Sequence, residues 1–455
     1  MVEELYNLSP IDGRYREDTE VLKDYFSEYA LIKNRVMVEL DWFFSLAESF
    51  EISGIRMDQL GEIHRKIQLI KEKFDLIEAK KIKMKEATTK HDVKAVEYYI
   101  RDKFEENGLA EYEYLIHFGL TSEDVNNLAY GRMINGAREN VLNGKLEELL
   151  KLLRHDFAEK YKSVQMLSHT HGQKATPTTV GKEFAVFHYR LNSIYDMAKS
   201  LKLKGKCSGA VGTFSAFEVA FPNVDWFEFN CRFVENQGLE FNPLTTQIES
   251  HDMICTLFSY FKLIGNILLD LNLDMWTYIS MNYFKQIAVS GEVGSSVMPH
   301  KVNPINFENS IANLRMANSI WDGLVNNLEV SRMQRDLSDS SMLRNIGTGF
   351  GYWLIAMNSL IKGLKKVEVN EDVLKAGLET SPEVLAEAIQ TVLRKNKINQ
   401  GYEILKEATR GKEVHLEDLR ELVQKQEISE EDKNRLLELE PKDYTGIAEK
   451  LCKYM

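Results

Sequence analysis

The stretch MICTLFSYFKLIGNILLDLNLDMWTYISMNYFKQ, from Met253 to Gln286, is apolar around nearly the whole circumference of a helix. Its polar exceptions Lys262, Asn266, Asp270 and Asp274 recur at intervals of four and fall into one narrow stripe. The pattern predicts a central helix from Met253 to Gln286, buried against several neighbours. One chain has difficulty surrounding a helix that is apolar on three sides, so self-association is expected. Lys262, Asp270 and Asp274 interrupt the run, which falls short of a charge-free membrane span.

Long helical patterns lie on both sides of this stretch. Leu142, Leu146, Leu149, Leu153 and Phe157 recur at spacings of three and four, the stripe of a bundle helix. Thr176-Pro177 reads as a cap and first-turn proline, with Phe184, Phe187, Leu191 and Ile194 following on one face. A further pattern runs from Ile305 to about Val330. Toward the N-terminus, Glu28 to Phe50 and Met57 to Phe74 are helical in period, and Thr88-Thr89 read as hydroxyl caps of the next helix. Beyond about Lys365 the periods shorten and charge rises, with caps at Asn370 and Ser381-Pro382. The expected architecture is all-α with three helical domains: 1–112, a central elongated bundle over 113–365, and 366–455.

Composition supports this reading. A chain of 455 residues with 44% hydrophobic and 28% charged residues has the balance of a soluble globular protein, and eight prolines are few for its length. A formal charge of -12 argues against nucleic acid as a partner, because a duplex requires a basic face. Small anions remain open as ligands, since a local cluster of Lys and Arg can oppose the global sign. Cys207, Cys231, Cys255 and Cys452 are widely spaced and form neither a zinc pattern nor a disulfide framework. The first residues, Met-Val-Glu-Glu-Leu, carry no signal-peptide pattern, and a cytoplasmic location without membrane contact is expected.

Candidate chemistry concentrates at helix ends. Gly294-Ser-Ser-Val-Met-Pro-His-Lys-Val-Asn-Pro304 joins two hydroxyls, His300 and Lys301 in a glycine-bearing segment, with Asn303-Pro304 reading as cap and first turn of the next helix. Lys90-His91-Asp92-Val93-Lys94 looks like a helix start, and Thr121-Ser122-Glu123-Asp124 another, with acids suited to the helix dipole. His169 and His171 form a pair without a third ligand at a familiar spacing, so no metal is expected. Gly205 to Gly212 is glycine-rich but lacks a phosphate-loop ending, which leaves either a tight turn or a loop whose amides approach a ligand. Ser331 to Arg344 packs three arginines among hydroxyls, a pattern usually found on a solvated, ion-paired face.

Taken together, Gly294 to Pro304 resembles the signature loop of the fumarase/aspartase superfamily. Within that superfamily, Lys90 to Glu97, Thr121 to Asp124, Thr170 to Gln173 and Gln334 to Leu337 resemble the adenylosuccinate lyase family. The resemblance runs from Ser9 to about Asn345, with one departure: Lys174 stands where relatives usually carry proline, a change expected to affect loop rigidity. It implies a helical homotetramer with active sites shared between subunits. It also implies release of fumarate from adenylosuccinate and from succinylaminoimidazole carboxamide ribotide, with no cofactor. Other lyases of the superfamily, acting on argininosuccinate, malate or aspartate, and a non-catalytic scaffold are the alternatives. The phosphate-suited arginines weigh against the former, and retention of Ser295 and His171 against the latter.

The resemblance also implies residue roles. Ser295 is the base, which requires an alkoxide held in a desolvated, cation-rich setting. Lys301 and the loop amides meet the developing charge, where one such donor is worth roughly 3 to 4 kcal/mol. His171 is the acid, a role that supplies about 10² to 10⁴ in rate. His91 orients the phosphate and the acid, and Lys90 and Asp92 join it among the substrate-binding residues. Arg14, Tyr15, Arg335, Ser340 and Arg344 hold the nucleotide. Thr121, Ser122, Gln247, Ser296, Asn303 and Asn309 grip the succinyl portion and its surroundings.

Overall fold

The structure is a computed structural model that describes residues 3–287, 298, 300–411 and 413–455. Helix accounts for 69% of it. Strands among the described residues are limited to three two-stranded sheets, so the fold is all-α as expected. Contacts gather the chain into two compact units. The first comprises Met1–Leu146, Tyr195–Asn266 and Ala312–Asn358, and the second Glu147–Ile194, Ile267–Ile311 and Ser359–Met455.

In the first unit, α1 (Glu28–Glu48) is capped by Ser27, whose hydroxyl accepts from the Ala30 amide at 3.1 Å. α2 spans Asp92–Glu106 and α3 spans Ser122–Ala137. From α3 the chain continues through a π-helical turn (Arg138–Leu142), α4 (Asn143–Leu152) and a second π-helical turn (Leu153–Glu159). Leu142, Leu146, Leu149, Leu153 and Phe157 are all buried along this run, as their spacing predicts.

The central stretch forms α6 (Asp252–Ser280), following α5 (Val180–Ser200) and preceding α7 (Ile305–Leu328) and α8 (Ile346–Leu364). Phe258 stacks on Trp321 at 4.8 Å, and Phe350 meets Trp321 edge-on at 4.7 Å and Phe261 at 5.0 Å. These rings form the core around the first half of α6. Its polar stripe finds partners while staying open to water: Lys262 pairs with Asp322, and Asn266 accepts from Asn318 at 2.8 Å. In the second unit Asp270 pairs with Arg190 of α5 at 2.6 Å. Burial pushes the Asp274 carboxyl up to about 6, aided by the charges of Asp270 and Glu183. By length and composition α6 could cross a bilayer, yet 56% of its apolar window is buried within the chain.

Two expectations fail locally. α6 ends at Ser280 rather than Gln286, because Asn282 takes the left-handed conformation at φ 60° and Phe284–Gln286 pairs as a strand with Val367–Val369. Thr176-Pro177 is not a helix start either. It lies in β2 (Gln173–Thr179), antiparallel to β1 (Gln165–Thr170), and Pro177 opposes Leu167 where the register shifts. An irregularity in a two-stranded ribbon is where a residue without an N–H is tolerated. The helix begins at Val180, with the Thr179 hydroxyl accepting from the Lys182 amide at 3.2 Å. The C-terminal short helices of the second unit close over their own cluster of Leu385, Ile389, Leu393, Leu419, Val423 and Leu436.

Candidate active site

His171 sits at the tip of the β1–β2 hairpin. Thr170 pairs with Gln173, leaving His171 and Gly172 as a two-residue loop with φ of 54° and 72°. Positive φ at both positions is the geometry whose twist matches the flanking strands. Glycine enters it freely, and histidine is among the few side chains that do so at modest cost. The imidazole is therefore exposed at the end of a stiff ribbon. Lys174, the departure from the expected proline, donates to the Ser381 hydroxyl at 2.7 Å and lies 4.0 Å from Glu383. Thr176 bonds Glu387 beside it. β2 is thus tied, close to the hairpin tip, to residues 381–387 beyond α8.

In the first unit, Lys90 takes the left-handed conformation at φ 56° and separates the helix Leu76–Thr89 from α2. The cap of α2 is consequently His91, not the threonine hydroxyls. Its ring Nδ1 accepts from the Lys94 amide at 3.2 Å, while the Thr89 hydroxyl donates to the His91 carbonyl at 3.1 Å. With Nδ1 accepting, the proton of the neutral ring resides on Nε2 of this exposed side chain. α3 starts at Ser122 behind Thr121, whose amide donates to Asp124 Oδ2 at 2.9 Å.

Several site residues of this unit meet through ion pairs that the sequence does not announce. Asp92 Oδ2 receives Arg35 at 2.8 Å and Arg344 at 3.2 Å, and Arg344 also reaches Glu28 at 2.6 Å. Burial works to raise the Asp92 carboxyl, but Arg35, backbed by the Val93 amide and Arg344, holds it below the usual range. Arg335 contacts Glu123, next to Ser122, at 2.9 Å and Asp339 at 3.3 Å. The Gln247 amide donates to the Gln334 carbonyl at 3.2 Å. A cavity of about 140 Å³ is lined by Ser9, Asp12, Lys23, Ser27 and Arg344. Arg14 lies with its guanidinium 5.8 Å from the Tyr15 ring, and the Ser340 amide donates to Leu337. An incoming phosphate would meet Arg335 and Arg344 already paired with carboxylates, so at those two arginines it must share or displace the partners.

Ser295 and Ser296 lie outside the described residues. Lys301 is exposed, its amide donating to the Met298 carbonyl at 3.1 Å. The Asn303 carbonyl accepts from Ile305, the first residue of α7, and Asn309 donates to the Ser359 hydroxyl at 3.1 Å. Lys301, Asn303, Asn309 and His171 belong to the second unit, and the other described site residues to the first. Arg35 and Asp339 are missed by sequence reasoning, as is the pairing of Glu123 with Arg335. The available signal was Arg35 and Glu39 inside the otherwise apolar face of α1, both buried. No three His, Cys, Asp or Glu side chains group as metal ligands among the described residues.

Comparison with known proteins places the chain in a family. A profile described as "Lyase" matches residues 13–318, and one described as "Adenylosuccinate lyase C-terminal" matches residues 331–445. The adenylosuccinate lyase of Escherichia coli K12 is 44% identical over 448 residues, 97% of this chain and 96% of that protein. That of Legionella pneumophila strain Corby is 46% identical, covering 98% of each. The chain belongs to the adenylosuccinate lyase family. Among solved structures, a fumarate lyase from Mesorhizobium sp. BNC1 superposes with a TM-score of 0.74 at 18% identity, covering 96% of this chain and 97% of that one. The 3-carboxy-cis,cis-muconate lactonizing enzyme of Pseudomonas putida gives 0.70 at 20%, with 96% of each chain covered. At those identities the adenylosuccinate lyase family and these enzymes have the fold in common.

Proposed function

We propose that this chain catalyses anti β-elimination of fumarate from adenylosuccinate, giving AMP, and from succinylaminoimidazole carboxamide ribotide, giving the aminoimidazole carboxamide ribotide. The reading is carried by the full-length match, 44% and 46% identity across 97% and 98% of this chain, to curated adenylosuccinate lyases.

Ser295 takes the proton from the carbon next to a succinyl carboxylate. The electron pair left on that carbon becomes the fumarate double bond as the carbon–nitrogen bond breaks. The departing nitrogen takes a proton from His171, a side chain type that titrates near neutrality. In between, negative charge collects on the carboxylate, where Lys301 provides a cation. Arg14, Tyr15, Arg335, Ser340 and Arg344 hold the nucleotide, His91 orients the phosphate and the acid, and Lys90 and Asp92 are further substrate-binding residues. Thr121, Ser122, Gln247, Ser296, Asn303 and Asn309 hold the succinyl side. A homotetramer with sites shared between subunits is part of the proposal. It is supported by the exposed tip position of His171 and by Leu263, Leu273 and Trp276, which stay 43%, 48% and 44% exposed on α6. Free thiols at Cys207, Cys231, Cys255 and Cys452 support a reducing, cytoplasmic setting.

The test is turnover of adenylosuccinate to AMP by the purified protein, followed by the purine absorbance change. Ser295→Ala and His171→Ala are expected to keep the fold and lose turnover, the latter by about 10² to 10⁴. Activity on argininosuccinate with none on adenylosuccinate would falsify the substrate assignment.

A further inference from the structure

The glycine-rich segment Gly205 to Gly212 is resolved by what its amides face. Ser208 N–H donates to Asp124 Oδ1 at 3.0 Å and Gly209 N–H to Asp124 Oδ2 at 3.1 Å, so these amides point into the chain rather than toward a ligand. Asp124 Oδ2 also takes the Thr121 amide, and Oδ1 receives Lys206 Nζ at 2.9 Å. Both side chains of this ion pair are fully buried. The other two ammonium contacts are the carbonyls of Gly209 at 3.1 Å and Gln247 at 2.8 Å. All three protons of Lys206 are therefore committed, and none remains for substrate.

The backbone of Lys206 is clamped as well. Its N–H donates to Asn127 Oδ1 at 2.8 Å, and its carbonyl accepts from Asn127 Nδ2 at 3.0 Å. Gln247 is held at both ends: its side chain donates to the Ala210 carbonyl at 3.0 Å and its own carbonyl accepts from Lys206. One buried pair thus joins the start of α3, the glycine-rich segment and Gln247, which is bonded in turn to the strand of chain leading to Arg335.

We propose that Lys206 and Asp124 form a positioning pair for the substrate site, setting Thr121, Ser122 and Gln247 in place without touching substrate. The inference rests on the functional reading above. A buried pair that served stability alone would be replaceable by neutral groups, since such replacement is often neutral or stabilising. A positioning pair would not, because a displacement of about 1 Å at a binding group can cost on the order of 10²-fold in rate.

The experiment measures kcat, KM for adenylosuccinate and thermal unfolding in the full-length protein, Lys206→Met, Asp124→Asn and the double variant. Each single variant leaves an uncompensated buried group and should unfold at lower temperature. The double variant should recover most of that loss yet keep a KM raised at least about tenfold, with kcat changed less. A double variant with both the stability and the KM of the parent overturns the inference. If the Lys206 variants do not fold, Asn127→Ala keeps both charges and removes the clamp, and an unchanged KM there also overturns it. An inactive parent protein refutes the functional reading, and this inference with it. An active parent whose variants share its KM refutes this inference alone.

Discussion

Asp92→Asn should destabilise the fold by about 3 kcal/mol, the low end of the roughly 3–5 kcal/mol typical when one partner of a buried pair is removed. The reason is Arg35, whose side chain is 2% exposed and has Asp92 as its ion-pair partner at 2.8 Å. The low end applies because asparagine keeps one oxygen able to accept from Arg35, and Arg35 keeps its bond to Asn126 at 2.9 Å. Arg344 adds little, since its half-open pair with Asp92 is worth about 0–1 kcal/mol. Urea unfolding at pH 7 and fixed protein concentration measures the difference. In an Arg35→Met background the same substitution should cost less than about 1 kcal/mol, because no unpaired charge is created. The sign with pH follows from the depressed carboxyl. A folded-state value below the unfolded one gives stability that is present above pH about 3.9 and is lost as pH falls through the lower folded value. A loss under about 1 kcal/mol at pH 7, or an equal loss in the Arg35→Met background, would refute the assignment of Asp92 as the partner of a buried charge.

His117 contacts the fully buried Glu39 at 2.6 Å, and although burial pulls its imidazole down, Glu39 raises it above the ordinary value. Its contribution is complete below pH about 6.5 and lost as pH climbs through the raised value, so His117→Gln should flatten the decline of unfolding temperature above neutrality. Asp274, raised to about 6, behaves oppositely to Asp92: its ionisation penalty grows above pH about 3.9 and is complete above 6. Asp274→Asn should therefore stabilise by about 1–2 kcal/mol at pH 8, after allowance for solvent screening, with little gain near pH 4 in denaturant unfolding. Lys174→Ala removes exposed contacts to Ser381 and Glu383 and should change stability by no more than about 1 kcal/mol in the same assay.

The long helices were legible because their apolar periods are local: α7 and the run through Leu142 and Phe157 appear where spacing places them, and α6 does so as far as Ser280. The hairpin was hidden because Thr176-Pro177 carries the chemistry of a helix start, and only its pairing with β1 reveals the strand. The cap of α2 was misread for a related reason. Thr88 and Thr89 precede the right position, but the left-handed turn at Lys90 hands the role to the His91 ring. Within the candidate site, the motifs around His91, Thr121, His171 and Arg335 stand out in sequence. What the residues touch does not, since Arg35 with Asp92, Glu123 with Arg335 and Asp124 with Lys206 are pairs between distant segments.

The π-helical turns at Arg138–Leu142 and Leu153–Glu159 bear on how this chain can vary in length. In a regular helix, deleting one residue rotates everything after it by about 100° and turns buried side chains to water. A π turn holds one residue in surplus, so a deletion there lets the backbone close as ordinary α-helix with both flanks still in phase. Natural one-residue gaps in this region should therefore fall at these two turns and be rare within Asn143–Leu152, where Leu146 and Leu149 face the core.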